Sequence, residues 1–504
     1  MTALERAVAH PPRVTGVTSR SPMAGLARRS LGFLDVLAQS VSAVAPSAAA
    51  TTIPAIVAAV AGRGTVWAVA GALLLSLLVA TTVNQFTRRM SAAGSLYTFV
   101  SKGLGTAASF FTGVAMLVGY GFVAMFSLAG SGLFLATLVG HFVRGAADSA
   151  LLVSALIVVL AAVCFLVLAR GIRLSTRVTL LVESASVALI LVLVIAVLVR
   201  QGGGINWSVL SIGDAKPGDF ATGVVLALMA FVGFESASSL GVEAKRPFAN
   251  VPRAIVWTVV VSGVLYLLAT YSQLVGFSAI GLSITGSDSP VNTLTNAYGV
   301  EWTGLVLDAS IATSFFACAV ASTTALVRVV FSMSRDGFIP AVFGRTHPRL
   351  HTPFVAAVAV VPMLVVVPLL VIASGSGVWD AMGVLLVCSV SGYITSYVLV
   401  CLAAFVFLRR IGELTFWVGL RALGASALLA IGLAVYLGSQ SVSASSLGVW
   451  LFLGIMIVGV ALYGWARVRN PWLRYTIGVF DETTADDVLG GTVPDPPGRA
   501  ADRG

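Results

Sequence analysis

The chain has 504 residues, 58% of them hydrophobic and only 10% charged, against about 25% charged in an ordinary soluble domain. That balance excludes a soluble globular protein. The net charge of +10 also fails to make a nucleic-acid binder, because the basic residues are scattered through short connections and build no patch.

In chain order, residues 1–30 carry Arg6, Arg13, Arg20, Arg28 and Arg29 with several prolines. No compact apolar run followed by a cleavage site precedes the first span, so they read as a cytoplasmic N-terminal tail and not a signal peptide. Apolar stretches follow, each long enough for a ~30 Å hydrocarbon core, which takes about 20 helical residues. Twelve spans are expected, at 32–61, 65–86, 106–139, 149–170, 177–199, 219–242, 254–277, 302–330, 352–374, 380–408, 416–438 and 447–465. With the N-terminus cytoplasmic, the inward connections hold most of the cations, among them Arg88, Arg89, Lys102, Arg170, Lys245, Arg246 and Arg335. The outward ones hold only Arg63, Arg144, Arg200 and Lys216. By the positive-inside rule both termini are cytoplasmic and the protein is a multi-pass protein of the cell membrane.

Cys164, Cys318, Cys388 and Cys401 fall within apolar spans as packing residues, so neither a disulfide nor a metal site is expected. Beyond the last span the chain turns polar, with Asp481, Glu482, Asp486, Asp487, Pro494, Pro496 and Pro497. Residues 467–504 read as a flexible cytoplasmic tail without a catalytic domain.

Two spans are interrupted. Pro46 sits near the middle of the first and removes a backbone hydrogen bond, so the helix is expected to open around Ala43 to Ser47. Gly233 weakens the sixth at similar depth, two residues before Glu235. A carboxylate in hydrocarbon costs roughly 2.5–3.5 kcal/mol, so Glu235 must face protein, water or substrate. Singly, each break is also explained by a packing kink or a close helix contact. Paired five spans apart and opposite in direction, they have the form of an inverted-repeat transporter. The repeats would be 31–199 and 219–408, together a transport core over 31–408, with two further spans in 409–466. Freed N–H groups suit a substrate carboxylate and freed carbonyls an ammonium or cation. The substrate is therefore expected at Ala45, Pro46, Ser47, Ala48 and Ala49 in the first break, and at Phe231, Val232, Gly233 and Phe234 in the second.

Three segments resemble the amino acid–polyamine–organocation (APC) superfamily of permeases. Phe231-Val-Gly-Phe-Glu-Ser, continuing through Glu243-Ala-Lys-Arg-Pro and Asn250-Val-Pro-Arg-Ala-Ile, is similar to the sixth-span signature of that family. Ser91-Ala-Ala-Gly-Ser-Leu-Tyr-Thr-Phe-Val-Ser-Lys-Gly-Leu-Gly105 resembles its approach to the third span. Ser334-Arg-Asp-Gly-Phe-Ile-Pro340, with His347-Pro and Thr352-Pro, resembles its loop after the eighth. One departure is that Ala45-Pro46-Ser47-Ala48 replaces the glycine-rich break common in the family.

The resemblance implies an all-α, LeuT-like 5+5 inverted repeat with two C-terminal helices. It implies a secondary permease that carries an amino acid or related amine by alternating access, with proton-coupled symport or exchange preferred. Sodium-coupled symport, polyamine or amine exchange and a transport-dead nutrient sensor stay open. It also carries gating and proton sensitivity to Glu235, and closure of the cytoplasmic side, near that glutamate, to Tyr97. Some proton-coupled relatives place a lysine in the fifth span, at a place near Ser186 here; this span has no lysine, and Glu183, earlier in it, reads as a substitute proton carrier or as a carboxyl bonded to a neighbouring helix. Ser322 and Thr323, beside Thr324, are the candidate sodium ligands, unless they bond back to their own helix. Arg335 and Asp336 read as topogenic and structural. No Walker-type loop, nucleophile–base pair or metal cluster at membrane depth is present. Neither an enzyme nor a cofactor is expected; the partners are a small-molecule substrate, H+ before Na+, and the bilayer, with no nucleic acid.

Overall fold

The computed structural model describes residues 21–481 apart from 147–148, 203, 213–215, 286–289, 299–301, 375–376, 470–472, 474–476 and 479. Arg6, His10, Arg13 and Arg20 of the N-terminal tail, and Glu482 onward in the C-terminal one, lie outside the described residues. Among the described residues the regular structure is helical, with no strand beyond isolated bridges.

The first apolar stretch divides at the expected place. Helix α1 (Phe33–Val44) stops and α2 (Pro46–Ala61) begins, joined by Ala45 in the left-handed region at φ +48°. Pro46 explains the boundary: it lacks the N–H that would continue α1, yet its fixed φ suits the first position of α2. Ala45 bears the consequence, about 1–2 kcal/mol for a left-handed residue with a Cβ.

Helix α3 (Thr65–Thr87) follows a turn at Gly62–Gly64. Among the described residues, eleven helical stretches are long and apolar enough to cross a bilayer, and the first, Phe33–Thr87, is 55 residues long. Such a helix would measure ~80 Å if straight, against a ~30 Å core. The expected count of twelve divides this stretch at the Gly62 turn.

Next come the short α4 (Leu96–Leu104), α5 (Thr106–Gly140), α6 (Ala150–Ala169) and α7 (Ile172–Arg200). Helix α8 (Pro217–Leu228) then breaks up into a tight turn over Met229–Phe231, an extended Val232, Gly233 at φ +97° and further tight turns over Phe234–Leu240. The rest is α9 (Pro247–Ile280), α10 (Pro290–Ala297), α11 (Trp302–Arg335), α12 (Phe354–Ala373), α13 (Val378–Arg410), α14 (Phe416–Gln440) and α15 (Ser446–Arg469).

These helices form an inner and an outer set. The most apolar windows of α5, of the broken α8 segment, of α11 and of α13 are 72–78% buried, against 22–33% for α6, α7, α12, α14 and α15. The outer set turns Leu151, Leu181, Met363, Leu428 and Ile457 outward, as a hydrocarbon solvent allows.

The two broken helices run in opposite directions. At the start of the first, Leu31 N–H donates to Glu243 O at 2.8 Å and Lys245 N–H to Leu31 O at 2.8 Å, just beyond the end of the second. Their breaks then meet: a Cβ on Gly233 would stand 2.9 Å from Ala43 O. Glycine is required there twice, by the positive φ and by this approach.

Candidate functional site

The breaks border a small cavity of about 70 Å³ closed by α5, α11 and α13. Ala45, Ala49 and Val232 of the expected substrate residues line it, whereas Pro46, Ser47, Ala48, Phe231, Gly233 and Phe234 stand behind that wall. Its other faces are mostly apolar, with Ile53, Val123, Phe126, Phe315 and Leu386. Thr52, Ser127 and Cys318 are its polar side chains, and no charged one lines it.

The start of α2 holds a protein carboxylate. Ser47 N–H and Ser47 Oγ donate to Glu183 Oε1 at 3.2 and 3.1 Å, and Ser314 Oγ donates to the same oxygen at 2.9 Å. Ala48 N–H is directed at Ser314 Oγ at 3.4 Å, and Ala49 N–H at Ala45 O at 3.0 Å. The N–H groups expected to meet a substrate carboxylate are thus held by Glu183, Ser314 and the helix itself. Glu183 is 1% exposed, and its Oε2 has no hydrogen-bond partner. It therefore caps, from α7, a helix start whose own N-cap residue, Ala45, has no side chain to do so.

The second break is satisfied from several sides. Ser40 Oγ donates to Phe234 O, Ser236 Oγ to Gln39 O at 3.2 Å, and the Tyr266 phenol to Ala230 O at 2.9 Å. Glu235 is fully buried between two phenols, Tyr120 of α5 at 2.6 Å and Tyr397 of α13 at 2.5 Å. Tyr397 in turn accepts Gly233 N–H at 3.2 Å and stacks on Phe234. One carboxyl therefore joins the second break to two of the inner helices, α5 and α13.

The expected pairing of Tyr97 with Glu235 is corrected. Tyr97 is fully buried, and its phenol donates to Asp336 Oδ2 at 2.5 Å, just past the end of α11. The two tyrosines that do reach Glu235 went unnoticed in the sequence. A signal existed: a carboxyl in an apolar span needs donors, and a buried tyrosine needs a partner for its hydroxyl.

Two further sites are legible only in three dimensions. Arg328 of α11 makes a bidentate pair with Glu243, Nε to Oε2 at 2.8 Å and Nη2 to Oε1 at 3.0 Å, with both side chains almost fully buried. At the opposite face His141 Nε2 lies 3.1 Å from Asp308 Oδ2, and Asn292 Nδ2 donates to Oδ1 at 2.9 Å, joining α5, α10 and α11. Of the candidate sodium ligands, Thr323 Oγ1 bonds back to Ala319 O at 2.7 Å, and Ser322 Oγ lies 3.8 Å from Cys318 Sγ.

A model of a family described as amino acid permease matches residues 31–462. The branched-chain amino acid permease BcaP of Bacillus subtilis (strain 168) is 27% identical over 314 residues, 59% of this chain and 66% of that protein. The low-affinity putrescine importer PlaP of Escherichia coli (strain K12) is 28% identical over 295 residues, 57% of this chain and 63% of that one. The chain thus spans just under two thirds of the length of these relatives. The solved structure of MhsT in complex with L-phenylalanine matches with a TM-score of 0.56 at 15% identity, over 79% of this chain and 98% of that one. At that identity the likeness is one of fold, the LeuT-like arrangement.

Proposed function

This chain belongs to the amino acid permease family, within the APC superfamily of transporters and not of enzymes, and from that premise we propose that it is a proton-driven secondary permease for a small amino acid with an apolar side chain. It works by alternating access in the cell membrane, with residues 31–408 as the transport core and both termini cytoplasmic. The observation that carries the substrate class is the cavity at the breaks, walled by Ile53, Val123, Phe126, Phe315 and Leu386 without a charged side chain. A diamine brings two ammonium groups, each costly to desolvate without an anion. A zwitterion brings one charge of each sign, which the carbonyl and N–H ends of broken helices meet.

Glu183 supports proton coupling. Its carboxylate holds the Ser47 donors that a substrate carboxylate would use. A proton on Glu183 weakens it as an acceptor and frees those donors for the substrate, so proton and substrate load together. Among the described residues, the titratable side chains that face it are the Tyr266 phenol of α9 and the Cys318 thiol of α11, both ordinarily neutral near pH 7. Sodium has less in its favour, since Thr323 bonds back to its own helix.

Uptake by the purified protein in liposomes tests the reading. Accumulation of aliphatic amino acids under an inward proton gradient, with putrescine left outside, is the expected result. Accumulation that follows sodium and ignores protons overturns the coupling, and preferred uptake of putrescine overturns the substrate class. Binding without counterflow would make the protein a sensor.

A further inference from the structure

Beyond α15 the chain returns to the face that carries Ser21, Arg28 and Arg29. Leu473 and Ile477 are buried again, and Phe480 lies under Lys102, whose Nζ is 4.6 Å from the ring centroid. Gly478, at φ +90°, donates its N–H to Asp336 Oδ2 at 2.8 Å, the same oxygen that accepts the Tyr97 phenol. A Cβ on Gly478 would fall 1.8 Å from Ser101 Oγ of α4, so only glycine seats there. Three residues on, Asp481 N–H donates to Ser91 O at 2.8 Å. The fully buried Asp481 carboxylate accepts from Ser21 Oγ at 2.7 Å, Arg28 Nε at 3.0 Å and Arg29 Nη2 at 3.3 Å.

These contacts fall on two groups of elements. Arg28 and Arg29 lead directly into α1, and Arg29 N–H and Leu31 N–H bond the carbonyls of Val242 and Glu243, at 3.1 and 2.8 Å. The start of the first broken helix and the end of the second are thus tied together. Ser91, Ser101 and Asp336 belong instead to the approach to α4, to α4 and to the end of α11. Alternating access requires one such group to move against the other. Any opening between them on this face must pull Asp481 from its arginines or Gly478 from Asp336.

We propose that residues 477, 478, 480 and 481 are the seated part of a C-terminal latch that holds the transporter closed on its cytoplasmic face. Asp481 bolts it to the broken-helix pair, and Gly478 seats it on the Tyr97–Asp336 contact. The inference rests on the permease reading for the existence of an opening, but its test needs no substrate. Cys318 lines the cavity at the breaks as a buried free thiol, and its modification serves as the probe of access to that cavity.

In inside-out vesicles, a membrane-impermeant thiol reagent is applied and modification of Cys318 is read by peptide mass. A chain ended after Thr476, and separately D481N in the full chain, are expected to raise the Cys318 modification rate about ten-fold. R28A/R29A should do the same, and combining it with D481N should add little more, because both remove the same pair of arginine–carboxylate contacts. If the shortened chain fails to insert, the D481N cycle decides. Unchanged Cys318 modification in D481N and R28A/R29A, at the parent melting temperature, overturns the latch. Faster modification in a protein that transports nothing retains the latch and removes the permease reading.

Discussion

The Tyr97 phenol and the Asp336 carboxylate meet at 2.5 Å, joining α4 to the end of α11 beneath the broken helices. Both side chains are buried. A hydrogen bond to a charged group contributes about 1.5–3 kcal/mol. Tyr97→Phe keeps the ring and removes that bond, and it should shift the protein toward inward-open states. Cytoplasmic modification of Cys318 should rise several-fold, with substrate slowing it. An unchanged rate alongside normal uptake would leave Tyr97 a packing residue.

Glu183→Gln should separate binding from coupling. The amide keeps the volume and an oxygen for Ser47, but it exchanges no proton. Parent uptake should rise as external pH falls, because protonation releases the Ser47 donors. The variant should lose that slope and gradient-driven accumulation while retaining counterflow. A parental pH profile in the variant would assign coupling to another group.

Gly233→Ala should abolish substrate binding in a protein that still inserts. The new Cβ meets Ala43 O at 2.9 Å and must adopt φ +97°, a left-handed conformation costing about 1–2 kcal/mol on its own. Calorimetric binding and a thermal melt on the same sample test this. Binding at parental affinity would place the site away from the breaks.

Arg328→Met leaves Glu243 buried without its partner, which should cost about 3–5 kcal/mol and lower the melting temperature. The double variant Arg328→Met, Glu243→Met removes both charges and should recover most of that loss. Equal destabilisation by single and double variants would show that Arg328 acts through packing.

The cavity wall gives a test of selectivity. Val123→Asp places a carboxylate among the apolar lining residues, so uptake of neutral aliphatic amino acids should fall and competition by putrescine should appear. Unaltered selectivity would exclude this cavity as the side-chain pocket.

What the sequence determined by itself is the local backbone chemistry and the solvent. Pro46 lacks the N–H that would continue the helix before it, and its φ suits the first position of the next; Gly233 permits a positive φ that few other residues tolerate. Both breaks are therefore legible in the residues that make them, as are the apolar spans that only a bilayer would solvate.

Only the tertiary structure decided which polar groups meet. Glu235 takes its donors from α5 and α13, Glu183 meets Ser47 and Ser314, and Tyr97 turns to Asp336. A helix apolar on every side carries no amphipathic stripe to show its rotation, and in hydrocarbon no hydrophobic force distinguishes its inner face from its outer one. The rotation that aims a carboxyl at one phenol and not another is set by close packing between helices far apart in the chain. For the same reason Asp481 reads as part of a polar tail by composition, yet becomes a buried partner of Arg28 once the fold brings the two residues together.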